Sequence, residues 1–405
     1  MPPDPGSLHA SPPPVPLDAE GRIHALDILR GLALFGMILV HFHQRTRLDV
    51  AGFEGVIPWA VWVLVEQKSW GTFAFLFGAG FAVLLRRLES RGDPVVPIYL
   101  RRLIGLAAFG VIAQVGFGFT ILFAYAVWGL VLLLVRRLPS RALLGLAVIS
   151  ACTVPILAEL SALGLLGPGV TDHAGRDALA AAVELATHQS SYLALLSARW
   201  ALFAHELGDW HTWLPDTNLA LFLLGLLAVR HRLIDEPRAH AGVIARWMAL
   251  GFTAWAASWL LPGMLAGTGP AEVTWPLAMG FGLLRDQWLS LTYIGAVLLL
   301  LAYWPVWASR LRGIGLAGRM ALTNYVGQAM TLDVISSGYG LGLRLRPALY
   351  AVAAVILFAA ETRLSSAWLA RYRWGPLEWA WRTLTYARPQ PLRRNPTGSP
   401  TAAIP

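Results

Sequence analysis

The chain has 405 residues, of which 56% are hydrophobic and only 14% charged, with 18 tryptophans and a formal net charge of +9. A soluble domain carries about 25% charged residues, so the composition excludes a chain of two or three soluble domains and describes a polytopic membrane protein. Lys68 is the only lysine, and the arginines fall in short clusters between apolar runs; that is how membrane topology is written, and it excludes a nucleic-acid-binding face.

Residues 1–20 are polar and proline-rich, without the basic start and apolar centre of a signal peptide, and read as a disordered cytoplasmic tail. A multipass membrane domain follows over 21–387, and 388–405 is a second disordered tail. A spanning helix needs about 20 mostly apolar residues. Ten candidates lie at 25–44, 70–86, 102–119, 120–135, 142–165, 214–230, 246–264, 287–308, 320–338 and 347–367. With both termini cytoplasmic, the arginine clusters at 86–102, 136–141, 230–246, 310–319 and 371–394 all fall on the cytoplasmic side, as the positive-inside rule requires, and only the short pairs Arg45 with Arg47 and Arg344 with Arg346 fall on the other. The expected fold is an all-α transmembrane bundle in a bacterial inner membrane, surrounded by lipid and compatible with a homodimer. The stretch 191–206, "SYLALLSARWALFAHE", is too short and polar for a span and reads as an interfacial or re-entrant helix, which makes 167–190 an outer loop. "WLARYRWGPLEWAWRTL", after the tenth span, suits a helix lying at the cytoplasmic interface. Cys152 is the only cysteine, so no intrachain disulfide forms; it reads as a small packing residue.

Ionisable residues inside a membrane are functional candidates by default, with ordinary pairing as the competing explanation. Asp27 and Arg30 are three residues apart on one face of the first span, as a local ion pair or as a site where Arg30 holds an anion. Arg101 and Arg102 lie on the same side of the membrane. His41 and His43, near the outer end of the first span, point in different directions on a helix. Outer-face polar groups also occur in "HELGDWHTWLPD" (205–216), with His205, Glu206, Asp209, His211 and Asp216, and at Glu66 beside Lys68. "HELGDWH" departs from the HExxH zinc spacing, and no metal is expected. Catalytic candidates are therefore His41 and His205, with Glu66 as a carboxylate partner. In the ninth span Asn324, Gln328 and Thr331 share a face, with Tyr325 and Asp333 nearby and Gln114 available from the third span. Such a stripe either hydrogen-bonds between helices or lines a polar cavity.

"RIHALDILRGLALFGMILVHF", "FLFGAGFAVLLRR", "ILFAYAVWGLVLLLVRRL", "GRMALTNYVGQAM" and "RWGPLEWAWRTLTY" occur in an order that resembles YeiB-like membrane proteins, the DUF418 family, with the motifs concentrated in 214–387. The opening block also resembles multipass acyltransferases of the heparan-alpha-glucosaminide N-acetyltransferase type. His41 stands where the family usually has Asn, and Thr120 where it usually has Asp. The resemblance implies acyl transfer, often acetyl, from cytoplasmic acyl-CoA to an extracytoplasmic or lipid-linked sugar acceptor. Acyl-CoA (acetyl-CoA) is then a co-substrate and no cofactor is bound permanently. Arg30 with Arg101 or Arg102 would hold the donor phosphates. A transporter or small-molecule-binding membrane protein using the same polar groups is the competing expectation.

Overall fold

The computed structural model describes residues 19–46, 55–119, 121–162, 165, 174–265 and 288–394, and among these the chain is helical, with one isolated bridge pairing Tyr372 with Arg393. The helices are α1 (Ala19–Thr46), α2 (Val56–Leu64), α3 (Lys68–Arg91), α4 (Val95–Phe117), α5 (Ile121–Val135), α6 (Ser140–Ala162), α7 (Ala174–Thr187), α8 (Tyr192–Gly208) and α9 (Thr217–Arg230). They continue with α10 (Ala241–Leu265), α11 (Trp288–Tyr303), α12 (Val306–Arg310), α13 (Arg312–Arg319), α14 (Ala321–Ser336), α15 (Pro347–Arg371) and α16 (Pro376–Tyr386). Among the described residues, five helical runs are long and apolar enough to cross a membrane: Ala25–Thr46, Val56–Arg91, Val95–Phe117, Ser140–Leu157 and Pro347–Arg371. Apolar sequence folds this way because a helix satisfies its own backbone N–H and C=O groups where no water can.

The ten apolar stretches expected from the sequence fall on α1, α3, α4, α5, α6, α9, α10, α11, α14 and α15, and the eighth, 287–308, is broken at 304–305 and runs on into α12. Two expectations are corrected. The 167–190 segment is not simply a loop, because α7 occupies Ala174–Thr187 and packs against α8. The second span also has a helical prelude. α2 leads to a turn at 65–67, where Gln67 takes a left-handed φ of 47°, before α3 begins. Thr120 and the His211 side chain lie outside the described residues.

α1 is the centre of the bundle, packing on α3, α13, α14 and α15. Its two faces feed two cores. Ile28 and Leu29 join the α3, α5 and α9 side chains. Leu34, Met37, Ile38 and Phe42 join those of α14 and α15. Small residues set how near the helices come. Gly31 lies against the Ile314 carbonyl and Gly318 against that of Asp27, joining α1 to α13. Gly78 meets the Phe222 carbonyl and Gly225 that of Phe75, joining α3 to α9.

The α3–α9 contact makes a direct test. Gly78→Leu forces a side chain into the Phe222 backbone, an overpacking defect costing at least about 1–3 kcal/mol. Gly145→Ala on α6, where an added Cβ meets nothing within 4 Å, should be neutral or slightly stabilising. Thermal unfolding of the two variants in detergent should separate them; equal midpoints would show that the close approach is not needed.

Candidate functional site

A cavity of about 1140 Å³ opens among α1, α3, α4, α5, α12, α13, α14, α15 and α16. Eight arginines line it (Arg30, Arg87, Arg91, Arg102, Arg312, Arg319, Arg382 and Arg394) against two carboxylates, Asp27 and Glu378. Arg30 donates to Asp27 at 2.6 Å. Among the described residues Arg102 and Arg382 take part in no ion pair; each guanidinium lies over an indole instead, Arg102 over Trp381 at 3.7 Å and Arg382 over Trp374 at 3.6 Å. Like charges gathered without matching acids have the electrostatics that suit an anion. Burial, together with the charge of Arg87, lowers the basicity of Arg382.

The mouth of this cavity is held by α16. The Glu378 carboxylate accepts from the Leu322 and Thr323 N–H groups at 2.7 and 3.0 Å and from the Thr323 hydroxyl at 2.6 Å. It thereby caps the start of α14, where backbone donors are unsatisfied and a negative charge is favoured. Burial raises the Glu378 carboxyl above its usual range, and those hydrogen bonds pull it back down. Trp381 Nε1 donates to the Arg102 carbonyl at 2.8 Å, tying α16 to α4.

Away from the arginines the wall turns apolar and aromatic, with Met37, Phe73, Phe77, Ile121, Leu122, Tyr125 and Tyr325. His41 stands just behind that end. Its ring is 6.1 Å from that of Tyr325 and 4.2 Å from that of Phe119, and its Nδ1 is buried with no hydrogen-bond partner. Eleven residues of helix separate Arg30 from His41, about 16 Å along α1.

The other end of α1 is held differently. Asp333, fully buried on α14, receives Arg199 at 2.5 and 3.0 Å, with Arg45 at 3.7 Å. Ser337 and Tyr339 donate to the same carboxylate at 3.0 and 2.9 Å. Burial and the Asp333 charge push the Tyr339 phenol up to about 12, so it stays a donor at neutral pH. Arg199 and Arg45 also donate to carbonyls at Gly116–Gly118, where Gly118 ends α4 with a φ of 74°. Nearby, a second depression of about 850 Å³ is lined by His43, Arg45, Trp59, Trp62, Glu66, Glu184, His188 and Arg344.

The expected site residues therefore divide among several places. Asp27, Arg30, Arg102 and Tyr325 line the first cavity. Arg101, the neighbour of Arg102, is exposed and lines neither cavity, because one step along a helix turns the side chain by about 100°. Gln114 donates to Glu206, Asn324 to Ser365 and the Ala317 carbonyl, and Gln328 to Glu361; these three join helices and do not line the cavity. The three acid–base candidates are not brought together. His41 is buried behind the first cavity, Glu66 accepts from Gln44 in the second, and His205 is exposed on α8 beside Gly175. His41 and His43 do diverge, His43 meeting the Tyr350 hydroxyl at 3.0 Å. Sequence reasoning missed Arg199, Arg382 and Glu378. Arg199 carried one readable signal, being an arginine inside an otherwise apolar helix.

An uncharacterised protein of Bacillus subtilis, YxaH, is 30% identical over 406 residues, covering 92% of this chain and 96% of its own length. Residues 228–388 match the family described as protein of unknown function (DUF418). The chain belongs to the DUF418 family. A further relative, the uncharacterised Escherichia coli protein YeiB, is 30% identical over 89% of this chain and 95% of its own length. An uncharacterised 39.9 kDa protein from the amylase 3' region of Bacillus acidopullulyticus is 24% identical over 93% of this chain and 97% of its own. Residues 22–172 match the family described as heparan-alpha-glucosaminide N-acetyltransferase, catalytic. No solved structure matches. In this DUF418 protein the first cavity is built from both matched stretches: Arg30, Arg87 and Arg102 come from 22–172, and Arg312, Arg319 and Arg382 from 228–388.

The Asp333 cluster orders two substitutions. Removing one partner of a buried ion pair costs about 3–5 kcal/mol. Asp333→Leu strands both Arg199 and Arg45, whereas Arg199→Leu leaves Asp333 with Arg45, Ser337 and Tyr339. Asp333→Leu should therefore lower the unfolding midpoint more than Arg199→Leu; the reverse order would refute this account of the cluster.

Proposed function

We propose that this protein is a membrane acyltransferase that takes an acyl group, acetyl in the simplest case, from acyl-CoA held in the arginine-lined cavity and delivers it to a glycan or lipid-linked sugar on the opposite side. The observation that carries the proposal is the cavity itself, with a strongly cationic mouth and an apolar inner wall, and with the buried His41 imidazole standing behind that wall next to Tyr325. A thioester donor matches this order, with phosphates at the arginines, the slender pantetheine arm along the apolar wall and the thioester at His41. The match of 22–172 to an acetyltransferase catalytic family supports the reaction class. His41 acts as general base. It takes the proton from the acceptor hydroxyl or amine as that group attacks the thioester carbonyl, the carbon–sulfur bond breaks, and the departing thiolate takes that proton back from His41 to leave as free CoA. His205 and Glu66, lying elsewhere, take no part in this step.

The proposal includes ten membrane crossings with both termini in the cytoplasm of a bacterial cell. The arginine clusters support it, since members of three of them, at 86–102, 310–319 and 371–394, open into one cavity. One observation favours a transporter instead. The α2–α3 run is interrupted at 65–67 beside the second depression, and interrupted helices mark transport sites.

Purified protein in nanodiscs should bind acetyl-CoA with an affinity that falls as salt rises. Arg102→Leu should weaken binding about tenfold or more, the loss expected for a charged hydrogen bond. His41→Ala should keep donor binding and lose transfer. A folded protein that binds no acyl-CoA would remove the donor site, and undiminished transfer by His41→Ala would clear His41 of the role.

A further inference from the structure

The geometry points to a nucleotide subsite at the cavity mouth, in which the indole of Trp374, backed by the Arg382 guanidinium, stacks on a purine base. This rests on the acyl-CoA reading and specifies which part of the donor the protein recognises. Tryptophans at a membrane interface usually anchor a protein among lipid headgroups. Trp374 and Trp381 are placed differently, because both line the cavity, and each carries an arginine on one face.

The two indoles are not equivalent. Trp381 is a docking residue, since its N–H is committed to the Arg102 carbonyl and its ring packs against Gly105. Trp374 serves the backbone only through its carbonyl, which accepts from Trp368 Nε1 at 2.9 Å; among the described residues its indole N–H donates to nothing. Its ring, half-buried at the mouth, presents an aromatic face next to unpaired cations. That combination suits a ligand with a flat ring joined to phosphates. A phospholipid headgroup or a simple acyl phosphate supplies the phosphate but gives the indole nothing to stack on. Base–aromatic stacking is sensitive to loss of the ring and tolerant of one ring replacing another.

The test uses full-length protein in nanodiscs, with coenzyme A and 4'-phosphopantetheine as probes in calorimetry and adenosine 3',5'-bisphosphate as competitor. Coenzyme A should bind at least about tenfold more tightly than 4'-phosphopantetheine, and adenosine 3',5'-bisphosphate should displace it. Trp374→Leu should remove most of that difference by weakening coenzyme A alone, and Trp374→Phe should restore it. If Trp374→Leu does not fold, Trp374→Gln gives the same comparison. Equal affinity for the two probes, or equal loss for both in Trp374→Leu, overturns the subsite and leaves the donor cavity standing. Binding of neither probe to folded protein overturns the donor cavity and the subsite together.

Discussion

A charge inside a low-dielectric bundle has to be matched, and this molecule answers that constraint in opposite ways at its two ends. At one end a single buried carboxylate, Asp333, gathers Arg199, Arg45, Ser337 and Tyr339 into a satisfied cluster. At the other, eight arginines face two carboxylates around an open cavity. The first arrangement locks helices together, because breaking it would strand a buried charge. The second has more cations than carboxylates, and that imbalance is the physical basis for proposing the cavity as a binding site.

The remaining architecture keeps the unmatched arginines in place. α1 carries Arg30 to the cavity and His41 to a position behind its aromatic wall, so one helix fixes the distance between them. α13 comes close enough to α1 to bring Arg312 and Arg319 to the same mouth only because glycines lie at the contact. α16 is joined at both sides, by Glu378 to the start of α14 and by Trp381 to α4, so Arg382 and Trp374 are held over the opening by hydrogen bonds. Two sequence regions that match different families thus complete one site, and neither builds it alone.

The helices were legible in the sequence because membrane length and apolar composition speak directly, and each of the ten apolar stretches became a helix. The divergence of His41 and His43 was legible for the same reason, since helical geometry fixes the angle between neighbours. α7 was not legible, because a helix of alanines and scattered charges has no membrane-length signature. The break at Gln67 was hidden too, since a left-handed φ at a glutamine has no mark in composition.

By itself the sequence determined an all-helical chain with membrane-length apolar helices, arginines mostly clustered between the apolar stretches, and the spacing that sets Asp27 beside Arg30. Those properties are local, following from residue type and helical period. Only the tertiary structure decided which polar groups share a space. It put Arg102 in the cavity and its neighbour Arg101 outside, spent Gln114, Asn324 and Gln328 on contacts between helices, and separated His205 and Glu66 from His41. Helix rotation and the partner across each contact settle these matters. Both depend on packing between residues as far apart in the chain as Arg102 and Trp381, and no short stretch of sequence contains that information.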